Sequence, residues 1–151
     1  MVGFSDAGAS TYEYAAYLTT GDSNLSAGAS VDSATVVLAQ SARVSGRTLR
    51  AYGLEYATSQ ASSVTSLSAL QALTKTTAYA EATTRSSGGV IQFDLSTVIA
   101  ELQGVTSWAT TSPIQLYIED TGAAVTGDDT TARLFTDSGA SLLQIMLTDG
   151  S

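Results

Sequence analysis

The chain has 151 residues, with six Lys or Arg against 14 Asp or Glu and a formal net charge of −8. Such an acidic balance repels nucleic acid and argues against DNA or RNA as a partner. There is no cysteine and no histidine, which removes disulfides, thiolate nucleophiles and imidazole bases.

The length suits one domain with a substantial core. Charged residues make up 13% of the chain, against roughly a quarter in an average globular protein. Lack of disulfides is compatible with assembly in a reducing cytoplasm. The first residues, "MVGFSDAGAS", show no basic region followed by an apolar run, so no secretory signal is expected. No stretch approaches the ~20 apolar residues of a bilayer span, so no membrane partner is expected.

Residues 1–30 are rich in small side chains and carry one apolar cluster from Tyr12 to Leu18. A short strand is expected there, inside an N-terminal extension that a partner orders. The sandwich domain itself is expected to span residues 31–151. In "VDSATVVLAQ", Ala34, Val36 and Leu38 alternate with Thr35, Val37 and Ala39, a strand with β-branched residues on both faces. "SARVSGR" turns at Gly46. "TLRAYGLEYAT" follows as a strand, with Tyr52, Leu54 and Tyr56 on one face.

"SQASSVTSLSALQALTKTT" spaces Leu67, Leu70 and Leu73 three apart. That suits a short helix or a loop held down by leucines. "TAYAEATT" is a strand of small residues suited to a sheet edge or a crowded surface, and "RSSGG" is a turn. The stretch "GGVIQFDLSTVIAELQG" then changes period. Ile91, Phe93 and Leu95 alternate as in a strand, whereas Leu95, Val98, Ile99 and Leu102 repeat as one helical face. A short helix is expected near residues 95–103, capped by Asp94 or Ser96 and ended by a left-handed Gly104. Val98, Ile99 and Leu102 are expected to plug the open end of the core.

Beyond "VTSWATTS", the strand "PIQLYIED" directs Ile114, Leu116 and Ile118 one way and Gln115, Tyr117 and Glu119 the other. "TGAAVTGDD" is a loop. "TTARLFT" and "SLLQIMLT" are the last strands, joined by the turn "DSGA", with Leu143, Ile145 and Leu147 as a final buried row. Seven to nine strands with polar turns and one clear helix predict an all-β fold, an antiparallel β-sandwich or jelly roll.

The segments "VDSATVVLAQ", "GGVIQFDLSTVIAEL", "SWATTSPIQLYIED" and "TARLFTDSGASLLQIML" follow one another in an order that resembles the DNRLRE-type domain. This is a carbohydrate-binding-module-like jelly roll of bacterial surface proteins and phage virion proteins. The resemblance covers residues 31–148. It departs from the family in lacking a proline before the final strand, where "ASLLQI" stands, and in having "TTARLFT" for a clearer arginine-phenylalanine-serine run.

Acidic residues gather at Glu119–Asp120 and at Asp128–Asp129. A glycosidase would need two carboxylates flanking a bond, but solvated loop carboxylates account for these positions. Asp120, Asp128 and Asp129 match no calcium-loop signature, although related sandwich modules sometimes hold calcium. No metal or cofactor is expected. A serine hydrolase of the usual form is excluded by the missing histidine and the missing G-x-S-x-G motif. Trp108 follows the helix and is read as a lid on the core, with a sugar platform as the alternative. Tyr12, Tyr14 and Tyr17 are candidate anchors for a partner, because a rigid apolar ring with a polar tip suits interfaces. A half-buried edge strand would explain them equally.

The chain is therefore expected to be non-enzymatic. The resemblance implies a virion structural protein on a phage capsid, a decoration or cement protein that assembles in the host cytoplasm. Its partners would be the major capsid protein or other virion subunits, including further copies of itself. The alternative is a carbohydrate-binding or adhesion module, tail-associated or on a cell surface, with a glycan as ligand.

Overall fold

The computed structural model describes residues 2–8, 11–40, 46–55, 66–83, 89–121 and 142–147. The first four strands are β1 (Val2–Gly8), β2 (Thr11–Asp22), β3 (Val31–Gln40) and β4 (Thr48–Leu54). Helix α1 (Leu67–Gln71), β5 (Lys75–Thr83), β6 (Gly89–Asp94) and α2 (Ser96–Gln103) follow, then β7 (Pro113–Asp120) and β8 (Leu142–Leu147). The strands form a five-stranded sheet in the order β1-β2-β7-β4-β5 and a three-stranded sheet in the order β6-β3-β8. Every pairing is antiparallel. The all-β antiparallel sandwich expected from the alternating pattern is present.

Period-two alternation accounts for the core. Ala34, Val36 and Leu38 of β3 and Ile91 and Phe93 of β6 meet Leu49 and Ala51 of β4 and Ile114, Leu116 and Ile118 of β7. Strand β7 departs from simple alternation, since its first six residues are all buried. It is the middle strand of the larger sheet, and its outer face is covered as well as its inner one.

Helix α2 packs against β4 and β5 of one sheet and β3 of the other. Val98, Ile99 and Leu102 are fully buried, so the helix closes the gap between the sheets. Its N-terminal cap is Leu95, which has no polar side chain. Asp94, one residue earlier, accepts from the Ser96 N–H at 3.0 Å and from the Ser96 hydroxyl at 2.6 Å. Those bonds hold the Asp94 carboxyl below its ordinary pKa. Ser96 Oγ in turn accepts from the Ala34 N–H at 3.2 Å, fixing the helix start to β3.

One expectation is corrected here. Gly104 is not left-handed: its φ is −76°, and the helix ends in short-range bonds from the Gly104 N–H to Glu101 O and from the Val105 N–H to Leu102 O. Within residues 1–30, the described strands β1 and β2 belong to the larger sheet. Strands β1 and β2 form a hairpin, and β2 pairs with β7 from Ala15↔Glu119 to Asp22↔Pro113. The loop after β2 is pinned by buried Leu25. Gln103 Nε2 donates to Ser26 O and Ala29 O, and Trp108 Nε1 to Leu25 O. The N-terminal strands thus find their partner strand inside the same chain. Tyr56 and the "TTARLFT" segment lie outside the described residues.

Leu102 rests on Gly53, where an added Cβ would lie 2.9 Å from Leu102 Cγ and Cδ1. Gly53→Ala should therefore destabilise by about 1–3 kcal/mol, as overpacking does, and Leu102→Ala by about 2–5 kcal/mol. In urea unfolding the double variant should cost less than the sum, because removing Leu102 opens the space that the new methyl group needs. Additive costs would contradict the contact.

The Asp94 cap generates a pH prediction. A lowered folded pKa adds stability that is complete above the unfolded carboxylate value and is lost as pH falls through the folded one. Asp94→Asn should lower the urea midpoint at neutral pH, and the difference from wild type should shrink in acid.

Candidate interaction face

The larger sheet brings four tyrosines into one row. Tyr17 of β2 stands opposite Tyr117 of β7, Tyr117 opposite Tyr52 of β4, and Tyr52 opposite Tyr79 of β5. Because Ala51, Leu116 and Ile118 of these strands enter the core, the tyrosines occupy the opposite face. A second row on that face runs Glu119, Arg50, Glu81.

Burial falls along the tyrosine row. Helix α1 is capped by Ser66, whose hydroxyl accepts from the Ala69 N–H, and it lays Leu70, with Leu73 beside it, on Tyr17, Tyr117 and Leu54. This is a second, smaller core on the outside of the sheet. Towards β5 the cover ends: Tyr52 is half-buried and Tyr79 is 42% exposed. The Tyr52 ring centroid lies 5.5 Å from that of Tyr79 and 6.1 Å from that of Tyr117.

Cations sit on these rings. The Arg50 guanidinium carbon is 4.4 Å from the Tyr79 centroid, and Arg50 Nε donates to Glu81 at 2.7 Å. Lys75 Nζ lies 4.6 Å from the Tyr117 centroid and donates to Gln71 O. Both contacts use attraction between a cation and the negative face of the ring. Bonds to Glu81, then to Tyr52, raise the Arg50 pKa beyond its already high ordinary value.

The two edges of the sheet differ. At β5 the register passes from Tyr52↔Tyr79 to Leu54↔Lys75, so β5 carries a bulge of two extra residues. Thr76 Oγ1 accepts the Gly53 N–H at 2.9 Å and donates to Ala78 O at 2.8 Å. The N–H groups of Thr77 and Ala78 turn to the Glu101 carboxylate at 2.6 and 2.7 Å. A bulge capped by a carboxylate blunts an edge against pairing with another strand. At the other edge, β1 pairs with β2 and has no second strand neighbour among the described residues.

The residues singled out from the sequence fall in different places. Tyr17 is 1% exposed, and its hydroxyl donates to buried Gln115 Oε1. It is an interior residue and not a free anchor, because α1 and the neighbouring tyrosine cover it. Tyr12 and Tyr14 occupy register positions opposite Ala7 and Ser5 of β1. Val98, Ile99 and Leu102 belong to the core.

Glu119 and Asp120 end strand β7 and are not solvated loop acids. Asp120 has a side chain 4% exposed and paired with Arg47 at 2.7 Å, and Glu119 accepts from the Tyr117 hydroxyl at 2.8 Å. Asp128 and Asp129 lie outside the described residues. Among the described residues no group of three His, Cys, Asp or Glu side chains could hold a metal ion. Trp108 is half-buried against the core. The Tyr79–Arg50 grouping was missed in the sequence, since only the β4–β5 register joins positions so far apart.

No protein-family model, curated protein or solved structure matches the chain.

Burial is the main cause that raises the Tyr52 pKa above its ordinary 10.0; a bond from Arg50 opposes it and Glu119 adds to it. A raised folded pKa gives stability that is full below the unfolded value and lost as pH rises through the folded one. In a spectrophotometric titration, Tyr52→Phe should remove a late phenolate step and reduce the loss of stability in strong alkali. An unchanged curve would contradict the burial.

Proposed function

We propose that the protein is a non-enzymatic virion structural protein, a capsid decoration or cement protein that attaches through strand β1. One observation carries this: Glu101 takes two amides of the bulge at one edge of the larger sheet, and among the described residues the other edge ends in β1. A strand from a shell subunit would extend the sheet at β1 by backbone hydrogen bonds, which demand little of the side chains. The resemblance to DNRLRE-type domains supports the virion setting. The net charge of −8 suits a body that faces solvent and keeps particles apart.

The test is co-sedimentation with shells stripped of decoration. Deleting residues 2–8 removes β1 alone and leaves β2 paired with β7. The deleted protein, checked by circular dichroism for a retained sandwich, should stay in the supernatant while the full chain pellets. Equal pelleting of both forms would refute attachment through β1.

A second function, carbohydrate binding or adhesion, is favoured by the exposure of Tyr79 beside Arg50 and Glu81. An aromatic ring with polar neighbours can stack on a sugar and bond its hydroxyls. Glycan-array binding that disappears in Tyr79→Ala would establish it.

A further inference from the structure

We propose that the outer face of β4 and β5, centred on Tyr79, Arg50 and Glu81, is a self-association surface that meets the same face of a second copy of this chain about a two-fold axis. The contact is distinct from attachment at β1. Strands β1 and β5 are opposite edges of the sheet, four strand spacings apart, roughly 19 Å at about 4.8 Å each.

The side chains are of the interface type. Tyrosine and arginine are enriched where binding energy concentrates. Arg50 is already ordered by its bond to Glu81 and its stacking on Tyr79, so little freedom remains to be lost on contact. The Arg50 and Glu81 side chains are 36% and 46% exposed. An ion pair in that much water adds little to the stability of a monomer.

Charge selects the occupant. The chain has only six Lys and Arg, and two of them, Arg50 and Lys75, sit over tyrosines of this face. The row Glu119, Arg50, Glu81 alternates in sign. A uniformly acidic partner would meet Glu81 and Glu119, and a uniformly basic one would meet Arg50. A second copy turned through a two-fold sets each Arg50 on the other's Glu81, the self-complementary pattern of an isologous contact. The carboxylate of Glu101 already occupies the Thr77 and Ala78 N–H groups, so this part of the β5 edge is not open to strand pairing between copies. A patch on two strands is small beside a standard interface, and the dimer should be concentration-dependent.

Sedimentation velocity from micromolar to millimolar protein at low salt, without shells, tests this. Wild type should shift from monomer to dimer. Arg50→Glu and Glu81→Arg should each remain monomeric, because each places like charges at both contacts. An equimolar mixture of the two variants should recover the dimer, because opposite charges then face each other at both contacts. Tyr79→Ser, which changes no charge, should also weaken association, and it carries the test if a charge variant misfolds. A wild type that stays monomeric, variants that associate like wild type, or a mixture that stays monomeric would each overturn the proposal. None of these outcomes bears on β1, which the shell experiment tests separately.

Discussion

Strand β7 is the element on which the rest of the structure registers. It lies between β2 and β4, and six successive residues from Pro113 to Ile118 are buried. Its inner residues Ile114, Leu116 and Ile118 supply core. Its outer residues Gln115 and Tyr117 are polar, and burying them is unfavourable unless each finds a partner. Gln115 accepts from Tyr17 of β2, and Tyr117 donates to Glu119. A shift of one residue in β2 would break the Tyr17–Gln115 bond and turn the inward row of that strand outward. The lateral alignment of the four tyrosines follows from that constraint.

Helix α2 shows how a short segment can serve three sites at once. Successive helical residues point about 100° apart, so Glu101, Leu102 and Gln103 face different directions. Glu101 takes the amides of the β5 bulge, Leu102 fills the space above Gly53, and Gln103 holds the carbonyls of the loop between β2 and β3. Capping the β5 bulge and closing the core are therefore one event. The switch from strand to helical period in "FDLSTVIAELQ" produces that placement.

Local periodicity made much of this legible. The alternation in β3, β6 and β7 identified the core rows, and the i, i+3, i+4, i+7 pattern located the helix within a residue. What periodicity cannot carry is partnership across the chain. Tyr17 looked like a free anchor because its partner Gln115 is 98 residues away, and Asp120 looked like a loop acid because Arg47 is 73 residues away. Residues 1–30 looked too poor in large apolar groups to fold alone. Such a segment becomes stable by joining an existing sheet, and the strand it joins, β7, comes late in the chain. Leu70 and Leu73 were legible as a helix or an anchored loop, but not as the cover of the outer face. The sequence pattern of α1 is the same whichever surface it packs on.

The cover that α1 provides decides where the larger sheet can meet another molecule. It buries the Tyr17–Tyr117 end of the row and stops before Tyr79. Glu101 occupies the backbone amides of the β5 bulge but not the outward side chains of the strand. Among the described residues β1 ends one edge of the larger sheet and the exposed β4–β5 face lies towards the other, so the proposed main-chain and side-chain contacts fall at opposite ends of it. On an acidic chain with few cations, placing Arg50 and Lys75 over the tyrosines also lowers the repulsion at one face, so approach is easiest where rings and both signs of charge are gathered. The same strand order that builds the core would therefore separate the proposed main-chain contact from the proposed side-chain contact.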